Sequence, residues 1–259
     1  MELYALKTGL IKRGDDLVKV ILDSMDSQNL KIENGDILAI TSKVVSVAEG
    51  RTARLSESHP TRKALMLAHD FDLPPAFAQL VLNESEEICD GVKKAILTLK
   101  NGVLTANAGV DNKNARSGEV ILWPKDSVES AKCVREGILS GTGKNVAVLI
   151  VDSGLVPLRI GTSGLALAVV GFKPIRDDRN KMDLYGKKVQ ITRHAVADDL
   201  ASAAHLLMGE TVEKIPVVLV RGAPVEFDNG AYGSKDVMMP PEEDIFASTF
   251  SNGLRRLRK

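Results

Sequence analysis

The sequence predicts an α+β fold of mixed sheets with packed helices, and three stretches carry that expectation. Val146 to Val151 is six consecutive apolar residues with a β-branched bias, long enough for a buried strand and too short for a helix. Asn101-Gly102, between strand-like stretches over 94–100 and 102–106, is the dipeptide of a tight hairpin turn. Val196 to Met208 places Ala, Leu and Met three and four apart, the spacing of a helix with one packed face. At 259 residues the chain can bury a full core, as two modest domains or one large one.

The remaining elements follow in order. Residues 2–7 alternate weakly and predict a first strand, and Asp15 or Asp16 caps a helix from Leu17 to Met25. Glu33-Asn34-Gly35-Asp36 is a turn before the strand Ile37 to Ile40, which ends in Thr41-Ser42-Lys43. Thr61 to Leu82 is helical with an interruption at Pro74-Pro75, and Glu84 to Glu87 is an acidic run expected on a solvated helix face. Gly118 to Pro124 is a strand stopped by proline, and Ser127 to Ser140 a helix capped by Asp126 or Ser127. After the apolar stretch 155–171, 176–181 is a polar loop and Met182 to Gly186 a turn before a strand from Lys188 to Thr192. Ile215 to Arg221 is a last buried strand; the tail is irregular to Pro241 and helical from Glu242.

Composition excludes several classes of function. Lys plus Arg number 34 against 34 Asp plus Glu, so no basic excess argues for nucleic acid, and the few aromatics give no stacking platform. Only Arg255 to Lys259 is locally basic, as a solvated end would be. No signal pattern or membrane-length apolar run is present, so a cytoplasmic, soluble protein is expected, with no membrane partner. Cys89 and Cys133 fit neither a metal spacing nor a disulfide framework and are expected as buried free thiols.

Candidate chemistry sits where apolar runs end. Asp152-Ser153-Gly154 puts a carboxylate and a hydroxyl at the end of the 146–151 strand, a rigid place for a metal–phosphate site, although taken alone it reads as a turn. A second stretch of the same design leads from Val103 through Asn107-Ala108-Gly109 to Asp111. Two hard oxygen ligands from two strand ends could share one Mg²⁺ or Mn²⁺ and serve phosphoryl transfer. Ser42 and Lys43 would suit phosphate oxygens. Arg159, the only charge in its apolar stretch, calls for an anionic partner, either a ligand phosphate or carboxylate or a carboxylate of the fold. The four histidines do not cluster, and His205 reads as a packed or surface residue. There is no P-loop and no dinucleotide fingerprint, so a nucleotide would be held by other means.

Taken as an ordered set, Gly14-Asp15-Asp16-Leu17, Val45-Ser46, Ala48-Glu49-Gly50, Glu84 to Glu87 and Asn107 to Asp111 with Asn114 resemble one family. So do Asp152-Ser153, Asp183 to Gly186, Ala195 to Leu200, Leu207 to Glu210 and Ile215 to Gly222. The family is coenzyme F(420)-0:L-glutamate ligase, the γ-glutamyl ligases. The resemblance implies a GTP-dependent ligase with that family's fold, an intertwined homodimer, and two divalent metals, Mg²⁺ or Mn²⁺, with K⁺ a further candidate. It implies that L-glutamate is joined to the carboxylate of F(420)-0 through an acyl phosphate and extended by γ-links. By position, Asp111 and Asp152 would hold the first metal, Ser153 and Glu210 the second. Asp111, Asp152 and Arg159 are the catalytic candidates. Gly9, Leu10, Asn114 and the loop carrying Met208, Gly209 and Thr211 would join Ser42 and Lys43 around GTP. Residues 1–85 with 195–259 are expected as a nucleotide-contacting domain and 86–194 as a second domain carrying the metal aspartates, unless the two form one compact unit.

The chain also departs from the pattern. The loop before Gly14 is two residues shorter. Val47 stands where the family has a phosphate-binding lysine, and one lost charge-assisted contact costs about 1.5–3 kcal/mol. Ser153-Gly154-Leu155-Val156 replaces Thr-x-Gly-Arg, which removes a second cation. A related amide ligase with another acid or amine, or a non-catalytic relative that keeps fold and metal site, are therefore the alternatives.

Overall fold

A computed structural model describes residues 1–246. β1 (Glu2–Leu6) leads to α1 (Leu17–Ser27), which Asp16 caps by accepting from the backbone N–H groups of Val18 and Lys19. β2 (Ile37–Thr41) turns directly into α2 (Ser42–Glu49), and Gly50 closes that helix at φ +74. β3 (Thr52–Arg54) precedes α3 (Arg62–Asp70) and α4 (Pro75–Glu84), separated where Pro74 and Pro75 interrupt the helical pattern. β4 (Glu87–Val92), β5 (Ala95–Lys100) and β6 (Val103–Ala106) form a small antiparallel sheet. Its last turn is the predicted Asn101-Gly102, both residues at positive φ.

β7 (Glu119–Ile121) pairs with β3 and is followed by α5 (Ser127–Thr142), whose first turn is satisfied by the Asp126 carboxylate. Asp126→Ala should lower stability by about 1 kcal/mol with activity retained, measurable as a shift of the urea midpoint. β8 (Ala147–Leu155) and β9 (Thr162–Phe172) form the longest antiparallel pair. β10 (Arg176–Asp177), β11 (Arg193–His194), α6 (Val196–Met208), β12 (Val217–Arg221) and β13 (Phe227–Gly233) complete the order.

The central sheet has the order β1-β12-β2-β8-β9-β13, with β2 and β8 parallel and the other neighbours antiparallel. Helices cover both of its faces. Leu38, Ile40, Val148 and Ile150 point into a core shared with Ile21, Met25 and Ile138 of α1 and α5. Their neighbours Ile37, Ala39, Leu149 and Val151 point the other way, against Leu200, Ala201 and Ala204 of α6. A strand buried on both faces is apolar at every position, which is why the 146–151 run is continuous and not alternating. Gly164 lets α6 approach β9, because a Cβ there would lie 2.2 Å from the Ala201 backbone. A smaller core, with Phe77, Val81, Ile96 and Val120, packs α4 onto the three-stranded sheet.

Several expectations are corrected. The 188–192 strand does not form: Met182 and Lys188 make one isolated bridge, and the segment otherwise meets 178–181 through scattered backbone hydrogen bonds, such as those of Val189 with Asn180 and Lys181, and not through a continuous ladder. Both cysteines are exposed, Cys89 on β4 and Cys133 on the outer side of α5 between the buried Ala131 and Val134. Glu84 is not on a solvated face but ends α4 in a mostly buried ion-pair cluster, and Glu87 begins β4. β8 and β9, from residues 86–194, pair with β2 and β13 in the central sheet. β13 was not signalled, because its Asp-Asn-Gly reads as a turn; a bulge between Phe227 and Ala231 absorbs those residues. The helix from Glu242 and the basic end lie largely outside the described residues.

Candidate active site

Parallel pairing of β2 with β8 decides where the site falls. Thr41 sits opposite Val151, so Ser42-Lys43 and Asp152-Ser153 emerge side by side at the same end of the sheet. Ligands of open sheets collect outside the carboxyl ends of parallel strands. Asp111 reaches this edge from the opposite wall, where its backbone exchanges both hydrogen bonds with Ile121 (2.9 and 2.8 Å). Its carboxylate accepts the backbone N–H of Lys113 and pairs with Lys43 Nζ at 2.7 Å.

Asp152 is the most constrained acid of the group. Burial pushes its carboxyl above the usual range, opposed by the Ser153 backbone N–H, the Trp123 indole N–H, the charge of Lys43 and the Ser42 hydroxyl. Glu210 closes the site from the loop after α6. It takes Lys113 Nζ at 2.6 Å on one oxygen, and Thr162 Oγ1 at 2.8 Å and His205 Nε2 at 2.9 Å on the other. Burial would raise the Glu210 carboxyl, but Lys113, Thr162 and His205 outweigh it and hold it down at about 2. It is therefore a carboxylate throughout the physiological range.

Two cavities meet here. The larger, about 400 Å³, lies between the 8–11 segment, α2 and the 208–216 loop. Gly9, Leu10, Lys43, Asn114, Met208, Gly209 and Thr211, all expected around the nucleotide, line it together. Asn114 Nδ2 donates to the Thr211 carbonyl at 3.1 Å and ties two of those walls to each other. The smaller, about 200 Å³, lies between β6, Asp111, Trp123 and the start of β9, and Ser42 lines this one. Lys43, Ile121, Asp152 and Ser153 line both.

The structure thus brings Asp111, Asp152, Ser153 and Glu210 to one end of the sheet with two lysines among them. Arg159 is the exception: it is exposed on the connection from Leu155 to Thr162 and lines neither cavity. Val47 faces the larger cavity, while Lys43, in the first turn of α2, supplies the cation nearest Asp111. The sequence did not point to Lys113, Thr162, His205 or Trp123. Their partners lie 5 to 97 residues away, and only folding makes them neighbours.

The donors suit a hard divalent cation in their chemistry, three carboxylates and a hydroxyl. Among the described residues no three His, Cys, Asp or Glu side chains converge closely enough to cage an ion unaided. Mg²⁺ sites commonly use one or two carboxylates together with substrate phosphates.

Comparison with known proteins fixes the class. The family model described as F420-0:Gamma-glutamyl ligase matches residues 5–222. A "Coenzyme F420:L-glutamate ligase" of Archaeoglobus fulgidus is 39% identical over 236 residues, covering 91% of this chain and 92% of that one. Proteins of the same name from Methanocaldococcus jannaschii and Methanothermobacter thermautotrophicus are 38% and 35% identical, covering 95% and 92% of this chain and 96% and 94% of theirs. In such company the chain is a ligase forming carbon–nitrogen bonds. The chain belongs to the F420-0:gamma-glutamyl ligase family.

Proposed function

We propose that the chain joins L-glutamate to the carboxylate of coenzyme F420-0 at the expense of GTP, through an acyl phosphate, and extends the product by γ-links. The observation that carries this reading is the shared wall of the two cavities, formed by Lys43, Ile121, Asp152 and Ser153. In the first step the γ-phosphoryl group leaves GDP and bonds to a carboxylate oxygen of the acid. In the second the glutamate nitrogen bonds to the acyl carbon, phosphate departs with the C–O electron pair, and the amine loses a proton. Such a sequence needs the nucleotide and the acid on either side of one point, within a bond length of reaction. The larger, mostly apolar cavity suits the nucleoside, and the smaller suits the acid's carboxylate end.

Asp111 and Asp152 would hold one Mg²⁺ or Mn²⁺, and Ser153 and Glu210 a second, with K⁺ a further candidate. When bound, these ions neutralise phosphate charge. Lys43 and Lys113 neutralise Asp111 and Glu210 in the chain alone and can turn toward phosphate oxygens as the nucleotide enters. His205 holds Glu210 in place from α6.

A homodimer belongs to the same reading. Val156, Leu158 and Ile160 on one loop and Leu184, Tyr185 and Ile191 on another are exposed apolar side chains, which a second copy would cover. No helix among the described residues is long and apolar enough to cross a membrane, and we place the enzyme in the cytoplasm with small-molecule partners.

The test is turnover: the protein with GTP, Mg²⁺ or Mn²⁺, F420-0 and L-glutamate, with GDP release and product mass recorded. We expect stoichiometric GDP and a product heavier by whole glutamyl units. Turnover with a different acid or amine, and none with this pair, would replace the substrate assignment; no turnover with any pair would leave a non-catalytic relative.

A further inference from the structure

We propose that Trp123 is a positioning residue for the Asp152 carboxylate, itself anchored by a cluster of Arg51, Glu84 and Lys100. The inference rests on the reading of Asp152 as a metal ligand. Trp123 is the only tryptophan of the chain and is 3% exposed, just past β7 on the wall of the smaller cavity. Its indole N–H donates to Asp152 Oδ2. An indole nitrogen is a donor only, so it can hold a carboxylate oxygen but cannot replace it on a cation. With Oδ2 held, rotation of the carboxylate is restricted.

Trp123 is held through its backbone and over the face of its ring. Arg51 Nε donates to the Trp123 carbonyl at 3.1 Å. Lys100 Nζ stands 5.4 Å from the ring centroid. Glu84 binds both cations, with Arg51 at 2.7 and 2.9 Å and Lys100 at 2.7 Å, and Lys100 also donates to the Ala108 carbonyl at 3.2 Å. Gly109, at φ +69, makes room for the ring, since a Cβ there would lie 2.4 Å from indole atoms. A tryptophan that served packing alone would need one partner for its N–H and no charged frame behind it. Here a charged frame from α4 and β5 and the aspartate of β8 meet at one ring.

The measurement is Mn²⁺ affinity by calorimetry, with GTP present, for the wild type, Trp123→Phe and Asp152→Asn. Phenylalanine keeps an aromatic face for Lys100 and loses the N–H together with the pyrrole half of the ring, at some cost in stability. Loss of an outer-shell partner lowers metal affinity about 10–100-fold, which is the result expected for Trp123→Phe measured well below its thermal midpoint. The lone tryptophan supplies a second readout that needs no substituted ring. Emission of the metal-free protein should shift in Asp152→Asn, and Mg²⁺ should shift it in the wild type but not in Asp152→Asn. Wild-type affinity in Trp123→Phe, with affinity lost in Asp152→Asn, overturns the positioning role and leaves the metal assignment standing. Should Trp123→Phe not fold, emission unmoved by both Asp152→Asn and Mg²⁺ overturns it instead. Undiminished affinity in Asp152→Asn overturns the metal assignment and this inference with it.

Discussion

Asp152→Asn is expected to reduce ligase turnover by roughly 10³-fold or more while leaving the fold intact. The amide occupies the space of the carboxylate and can still accept the Trp123 N–H, so the packing at the end of β8 is preserved. What disappears is the charge that attracts a cation to the wall between the cavities. Stabilisation of transferring phosphate by such a cation amounts to several kcal/mol, and each 1.36 kcal/mol is tenfold in rate, which gives about the stated factor. Burial holds the Asp152 carboxyl up in the free chain, so removing the charge should leave thermal stability unchanged or slightly higher. The assay is GDP release under saturating substrates, alongside a thermal melt. Turnover within tenfold of the wild type would show that this acid does not serve the chemistry.

The largest effect on stability is expected at Glu84. Its side chain is 16% exposed and binds Arg51 and Lys100, the latter 9% exposed. Glu84→Ala leaves the Lys100 ammonium buried without its carboxylate partner, against the Ala108 carbonyl and the face of Trp123, and breaking a buried pair in this way costs about 3–5 kcal/mol. Urea unfolding at neutral pH measures it directly. The pH dependence follows from the direction of the shift. Burial alone would raise the Glu84 carboxyl, but Lys100 and Arg51 outweigh it and hold it below the usual glutamate range. A carboxyl lowered on folding contributes its full stability above the unfolded pKa and loses it as pH falls through the folded one. The gap between wild type and Glu84→Ala should therefore be widest at neutral pH and narrow in acid. A gap independent of pH would show that the loss is one of packing and not of charge.

Much of this arrangement was legible in the chain before folding. The buried strands at 37–40 and 146–151, the Asn101-Gly102 turn and the α6 periodicity are local signals, set by side-chain period and turn chemistry over a few residues. The short helix α2 was not, because SKVVSVAE carries two adjacent valines and its caps are backbone geometry, not a side-chain signature. Arg159 shows the converse. A lone charge in an apolar stretch called for an anionic partner; the stretch is two strands joined by an exposed loop, and the arginine sits on the loop.

By itself the sequence determined which residues carry acid, hydroxyl and amine groups at the ends of apolar runs, because a strand must be apolar where it is buried and turn polar where it emerges. Which of those ends meet was decided only by tertiary structure. The parallel register of β2 and β8 places Lys43 beside Asp152, the Asp111–Ile121 bridge swings the second acid toward them, and a tryptophan 29 residues before Asp152 reaches its carboxylate. Contacts of that kind join segments far apart in the chain. No local periodicity encodes them, and their energies act only once the strands have paired.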